Sequence, residues 1–273
     1  MVSAFRVVSR SLCALAVGLC LVSAAQAADI VPHRAIYDMK LGIAKRNSNI
    51  ADVRGTMVIE NGESCDSWET NQRIKLSFLR NDSGESETES NFASFEAKDG
   101  LSYQFSVRNL EDGELDEELR GYATFDPAVG RGKAVFTLPE KTEFDLPAGT
   151  LFPTAHMIHL IERAKSGELF LPYLVFDGSR LEGAFDVSTL VLGKEPREKL
   201  GFDHALLRGQ PMWSMKMAFF PTTQINNDSS PDYEVSVEML ANGVTRSMIM
   251  DYGDFSVIAT LAKIEPLPKP QCK

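Results

Sequence analysis

The residues of this 273-residue chain whose types could do chemistry are few: four histidines, four cysteines and a handful of Asp-Gly steps. His156 and His159 stand three apart, with Glu162 three further on, so a metal cluster on one helix has to be weighed. Successive steps of three drift around a helix, the HExxH pattern is missing, and His33 and His204 are remote in sequence. These histidines are therefore expected to face solvent or the edge of the core, with no metal and no cofactor. Asp177-Gly178 and Asp251-Tyr252-Gly253-Asp254 could suggest carboxylate chemistry, but Asp beside Gly is first a turn signature. No nucleophile elbow, P-loop, GxGxxG or calcium loop is present, which disfavours an enzyme.

The elements that would position these residues are strands. Trp68, Thr70, Gln72, Ile74, Leu76 and Phe78 alternate with Glu69, Asn71, Arg73, Lys75 and Ser77, the period of two that sends successive side chains to opposite faces of a sheet. The same alternation follows Asp99-Gly100 in Leu101, Tyr103, Phe105 and Val107, and returns in Trp213 to Phe219 and in Tyr233 to Met239. Asn61-Gly62 and Asn242-Gly243 read as hairpin turns, since both residue types tolerate positive φ. About twelve strands are expected, in one large antiparallel sheet. One segment breaks the period: from Thr154 to Ser166, Met157, Leu160, Ile161 and Ala164 recur at helical spacing after Pro153, and Gly167 follows as a helix stop. One amphipathic helix against a curved sheet or incompletely closed barrel is the predicted architecture, facing the sheet through Met157, Leu160 and Ile161, in a single domain. The acidic stretches Glu85 to Glu89 and Glu111 to Glu118 read as solvated loops or strand ends.

Charge and leader set the compartment. The formal charge is -10 and no basic run relieves it, which argues against a nucleic-acid partner. Arg6 and Arg10 precede the apolar run Leu12 to Ala24, and Ala25-Gln26-Ala27 supplies small residues for cleavage before Ala28. Residues 1–27 are read as a secretory signal and 28–273 as the mature domain, exported to the periplasm and not membrane-spanning. Cleavage removes Cys13 and Cys20 and leaves Cys65 and Cys272, an even pair in an oxidising compartment. A structural disulfide is expected, joining strand edges at the two ends of the coiled sheet. A redox or metal role for the pair is the competing reading.

Several short motifs carry a resemblance. They are His33, Arg34, Ala35 and Tyr37 at the start of the mature chain, Gly62-xx-Cys65-xx-Trp68, Leu151-Phe152-Pro153-Thr154 and Val175-Phe176-Asp177-Gly178. Asn242-Gly243-Val244, Asp251-Tyr252-Gly253-Asp254-Phe255 and the terminal Cys272 complete the set. In this order they resemble the EipB-type cell-envelope-integrity proteins of alphaproteobacteria, a domain of unknown function, over residues 33 to 272. The resemblance implies a periplasmic β-spiral with its cysteines joined, envelope maintenance under stress, a periplasmic tetratricopeptide-repeat partner, and no catalytic residues to carry over. Two functions follow as alternatives. One is a non-enzymatic envelope factor acting through protein contacts. The other is a carrier or chaperone holding a lipid or lipoprotein acyl chain on the concave face. The carrier reading is motivated by Trp213, Met215, Met217 and Phe219, with Met212, Phe220, Met248 and Met250, and ordinary core filling is its competitor.

Overall fold

The computed structural model describes residues 29–193, 200–222 and 230–272; the signal segment 1–27 lies outside them. Fourteen strands follow in chain order, two more than the expected twelve. They are β1 (His33–Ala44), β2 (Ile50–Glu63), β3 (Ser67–Arg80), β4 (Gly84–Ala97), β5 (Ser102–Glu111), β6 (Glu114–Asp126), β7 (Arg131–Leu138) and β8 (Thr142–Leu146). After the helix α1 (Pro153–Lys165) come β9 (Phe170–Val175), β10 (Phe185–Gly193), β11 (Met212–Pro221), β12 (Tyr233–Leu240), β13 (Thr245–Asp251) and β14 (Phe255–Pro266).

All fourteen belong to one open antiparallel sheet in the order β8-β7-β6-β5-β4-β3-β2-β1-β14-β13-β12-β11-β10-β9. The first and last strands pair in the middle of the sheet, Ala35 opposite Ile264 and Met39 opposite Ala259. The free edges are β8 and β9, which are consecutive in sequence and joined by the segment carrying α1. Both are short, and β9 contains Pro172, a residue that cannot donate to a ladder and is tolerated at an edge. Leu151 reaches across to β9, donating to Leu174 O at 2.8 Å and accepting from Phe176 N at 2.9 Å, so the curled sheet nearly meets itself without closing.

The helix lies inside the curl, as its period requires. Pro153 occupies its first turn, where a missing N–H costs nothing. It stops in a Schellman arrangement: Gly167 N donates to Ala164 O at 3.2 Å, Glu168 N to Arg163 O at 3.1 Å, and Gly167 takes φ +88°. Its buried face is His156, Leu160, Ile161 and Ala164. Leu160, Ile161 and Ala164 pack with Val187, Trp213, Met215 and Val237 of β10 to β12. A second core joins Tyr37, Met57 and Val257 across β1, β2 and β14. A third is aromatic, with Tyr103, Phe105 and Phe136 of β5 and β7 meeting Phe152 and Phe176, which flank α1 and β9.

Two turn readings divide. Asn242-Gly243 does turn the chain between β12 and β13, with Gly243 at φ +84°. Asn61-Gly62 does not: both residues are paired inside β2, opposite Thr70 and Glu69. The reversal falls three residues later, where Ser64 N donates to Ser67 O at 2.8 Å and the two hydroxyls lie 2.7 Å apart. Serine side chains there supply the local hydrogen bonds that the glycine was expected to make unnecessary. The acidic stretches are strand ends: Glu85 to Glu89 open β4, and Glu111 to Glu118 span the β5–β6 reversal.

The helix seat and the apolar wall as candidate functional site

The first turn of α1 has no cap of its own. Its N-cap residue is Phe152, no side chain of the helix accepts from the leading N–H groups, and no acid stands in the first turn. Such orphan donors need an acceptor, and the helix dipole favours an anion. Glu96, from the distant strand β4, provides one, accepting from Thr154 N and from Ala155 N at 2.7 Å each. Burial pushes the Glu96 carboxyl above the ordinary carboxylate range, against the lowering effect of these two bonds.

Sequence reasoning missed Glu96, although β4 carries a signal. At its C-terminal end the alternation is inverted: Glu96 is 2% exposed whereas its neighbour Phe95 is 51% exposed. A carboxylate on the inner face and a phenyl ring on the outer face together mark a place where tertiary partners override burial preference. Beside Glu96, Tyr103 donates its hydroxyl to Asp177 O at 2.9 Å and stacks on Phe152 at 4.8 Å. Asp177 is a turn residue, with Oδ1 accepting from Ser179 N at 2.9 Å. Gly178 adopts φ +69°, and a Cβ there would meet the Phe105 ring at 2.5 Å, so ring and backbone both require glycine. Asp251 likewise holds a turn, accepting from Gly253 N at 2.9 Å.

The seven apolar residues singled out from the sequence come together. Leu160, Ile161, Trp213, Met215 and Met217 share one buried cluster, with Met157 and Phe219 packed against it. Met212 and Phe220 fall on the alternate face of β11, opposite in phase to Trp213, and Met212 instead joins the second core. Met248 is partly buried between the first two cores and Met250 packs on the second. The cavity bounded by Ile30, Pro32, Trp68, Thr154 and Met157, at the mouth of this wall, holds about 10 Å³, the space of a single water. In this conformation α1 covers the wall of β10 to β12.

The histidines do not converge. His156 is not solvent-facing: it is 6% exposed and its Nε2 has no hydrogen-bond partner. The spacing of four residues to Leu160 puts it on the buried stripe. Burial, with a smaller push from His159, lowers its pKa to about 4, so it is neutral at pH 7. Both imidazoles lie edge-on to Tyr173, at 5.5 and 5.7 Å. His33 is bound to Val31 O through Nδ1 at 2.7 Å, and His204 Nδ1 accepts from Leu206 N at 3.2 Å. Among the described residues no three His, Cys, Asp or Glu side chains are grouped to hold a metal ion. No helix among them is long and apolar enough to cross a membrane.

Cys65 and Cys272 are bonded, with Cα atoms 5.6 Å apart. Cys65 sits in the β2–β3 reversal, and Cys272 ends a tail that leaves β14 with Leu267 N donating to Pro32 O at 3.0 Å. The expectation that the bond ties exposed strand edges is corrected: the edges are β8 and β9, and neither cysteine is near them in the strand order. The bond pins the tail across the ends of β1 and β2, beside the pairing that makes the chain termini the centre of the sheet.

Comparison with known proteins agrees with this geometry. Cell envelope integrity protein EipB of Brucella abortus (strain 2308) is 34% identical over 250 residues, 89% of this chain and 86% of that protein. The crystal structure of a β-barrel-like protein of a domain of unknown function, also from Brucella abortus, matches with a TM-score of 0.80 at 30% identity, covering 89% of this chain and 100% of that one. The sequence pattern of the EipB-like family spans residues 24–268, which takes in every strand, the helix seat and the β2–β3 reversal with Cys65, and on that footing the chain belongs to the EipB-like family.

Proposed function

We propose that this protein maintains the cell envelope from the periplasm, without catalysis, by contacting other proteins through its outer surface. The name of the Brucella relative supports the envelope role. The observation that carries protein contact is an apolar stripe at the β9 edge. Phe170 and Leu190 lie opposite one another in register, 57% and 47% exposed, with Leu169 and Leu192 exposed beside them. Large side chains grouped on an edge strand, next to unpaired backbone groups, are a docking feature. A periplasmic tetratricopeptide-repeat protein is the partner that the family resemblance implies, and such solenoids offer extended concave surfaces.

The test is a photo-crosslinking residue at Leu190 in cells that depend on this chain, together with Phe170→Glu and Leu190→Glu. The expected result is a discrete crosslinked protein and, in the charged double variant, loss of detergent resistance at normal protein level. Wild-type resistance in the double variant with no crosslinked species would refute protein contact at this edge.

The carrier reading has one observation in its favour, the continuous Met-rich wall beneath α1. It requires the helix to leave the concave face and release Glu96. Native mass spectrometry of protein taken from cells would show a co-purifying lipid if α1 exchanges with an acyl chain, and bare protein if it does not.

A further inference from the structure

The outer face of β2 to β6, remote in the strand order from the β9 edge, carries a trough with two unlike banks. Its floor is a cross-strand row of small residues, Ala93 opposite Ser106, continued by Asn71 and Arg120 at either end. One bank is the row Arg73, Asn91 and Arg108, three residues in register on β3, β4 and β5, with the carboxylate of Glu118 closing the row on β6. The other is Phe95, Gln104 and Tyr122, in register on β4, β5 and β6. The banks stand four residues apart along the strands, about 13 Å. Depressions of about 310 Å³ and 250 Å³ share Ala93, Ser106 and Arg120, and a third of about 370 Å³ extends past Tyr122 toward Thr137. Toward β1 a fourth, of about 370 Å³, adjoins Asn71 and Arg73. The trough thus crosses the strands at right angles, from Arg34 on β1, which is paired with Glu60 of β2 at 3.0 Å, to Arg120 on β6, about 24 Å by strand spacing.

Its chemistry differs from the surrounding surface. The chain carries a formal charge of -10, and most exposed lysines and arginines are paired with carboxylates, Lys75 with Glu87 and Glu89 and Lys133 with Glu143 among them. Arg73 and Arg108 form no ion pair among the described residues, and only Asn91 separates them in the row. A guanidinium presents a planar fork that matches a carboxylate; Glu118, opposite Arg108 on β6, lies 3.6 Å from Arg120, so Arg73 and Arg108 keep their forks for an added anion. On the opposite bank two exposed rings, Phe95 and Tyr122, flank an amide and offer flat apolar faces. The remaining polar groups, Asn91, Gln104 and Ser106, can each both donate and accept, as sugar hydroxyls do.

From this pairing of banks we infer that the trough binds a linear acidic glycan, a chain of pyranose rings bearing carboxylates. Ring C–H faces lie on Phe95 and Tyr122, carboxylates meet Arg73 and Arg108, and hydroxyls meet the amides between them. An acidic peptide satisfies the guanidinium bank but leaves its own N–H and C=O groups facing a sheet whose backbone groups on β2 to β5 are already paired on both sides. The glycan uses both banks and needs no free backbone.

Titration calorimetry on the purified, disulfide-bonded protein distinguishes the ligands, with hexagalacturonate as the acidic glycan, cellohexaose as its neutral counterpart and hexaglutamate as the acidic peptide. Hexagalacturonate should bind about tenfold or more tighter than either control, and weaken with added salt. Arg73→Gln with Arg108→Gln should remove about tenfold or more of that affinity, Arg73→Lys should weaken it because the fork is lost, and Tyr122→Ala should weaken it without changing the salt dependence. All three side chains are exposed, so melting temperatures should stay within a few degrees of the parent. Equal affinity for hexaglutamate would reassign the trough to acidic proteins. Equal affinity for cellohexaose, no binding of hexagalacturonate, or unchanged binding in the variants would each overturn the inference.

Discussion

The two ends of the sheet solve the same packing problem with different materials. Around β10 to β12 the inner face is aliphatic and Met-rich, and a separate element, α1, is laid on it to exclude water. Around β5 to β8 no helix covers the inner face; rings from β5 and β7 close on Phe152 and Phe176, which arrive from the crossing segments on either side of α1. Flexible thioethers tolerate a cover that slides or tilts, whereas stacked and edge-to-face rings with centroids 4.8 to 6.3 Å apart fix their neighbours. The helix-covered end is therefore where any opening of this molecule would begin, and Glu96 is the link that makes the aromatic end hold the helix in place.

That comparison can be broken at either end. Phe136→Ala removes a ring in contact with Phe105, Phe144 and Phe176 and should cost about 3 to 5 kcal/mol of unfolding free energy, while Leu160→Ala on the buried face of α1 should cost about 2 to 5 kcal/mol with the smaller cavity. Denaturant melts measure both, and native-state hydrogen exchange should show opening of α1 promoted by Leu160→Ala more than by Phe136→Ala. Equal promotion would deny that the two ends are distinct.

Loss of the disulfide should act on neither end but on the seam of β1 and β14. Cys272→Ser is expected to lower stability by an amount bounded by about 5 kcal/mol, the chain-entropy value for so long a loop. Cys65→Ser with Cys272→Ser should be no worse than either single change, since each removes the whole bond. Melting that is the same with and without reductant would contradict this.

Acid sharpens the comparison, because His156 lies in the helix seat. Its folded pKa of about 4 is below the ordinary value of 6.5, so the unfolded chain binds the extra proton between these two values. Stability from this group is fully present above pH 6.5 and is lost as pH falls toward 4, by about 3 kcal/mol in all. His156→Phe should leave the melt at pH 7 nearly unchanged and flatten the decline below pH 6.5. His33, also lowered by burial, contributes with the same sign and should survive as a residual slope.

The smallest effect is expected at the link itself. Glu96→Gln keeps the shape and one acceptor but not the charge at the helix N-terminus, and should cost about 1 to 2 kcal/mol, visible as faster exchange of the α1 amides with the aromatic core unchanged. If the aromatic core loosens equally, Glu96 belongs to that core and is not a strut between the two.

Much of this was legible in the residues. The alternation of Trp68 to Phe78 and of Tyr103 to Val107, the helix from Pro153 with its buried stripe, and the pairing of Cys65 with Cys272, expected once Cys13 and Cys20 are read as part of a leader, all follow from local rules, because pleat, helical repeat and cysteine count act within one element or one residue type. The site was half legible. Met157, Leu160, Ile161, Trp213, Met215, Met217 and Phe219 were identifiable as one apolar set, but not that the first three fill the space in front of the others. Glu96 and the two banks of the outer trough were not identifiable, since each depends on which strand lies beside which, whereas the burial of His156 follows from its helical spacing to Leu160. Strand order carries no local signature: backbone hydrogen bonds are alike in every antiparallel pair, so the pairing of β1 with β14, which makes β8 and β9 the edges, is selected by the burial of side chains more than two hundred residues apart. The amino-acid sequence determined which face of most strands turns inward, the end of β4 excepted; the tertiary structure alone decided what each inward face meets, because that choice rests on non-local packing that no window of the chain contains.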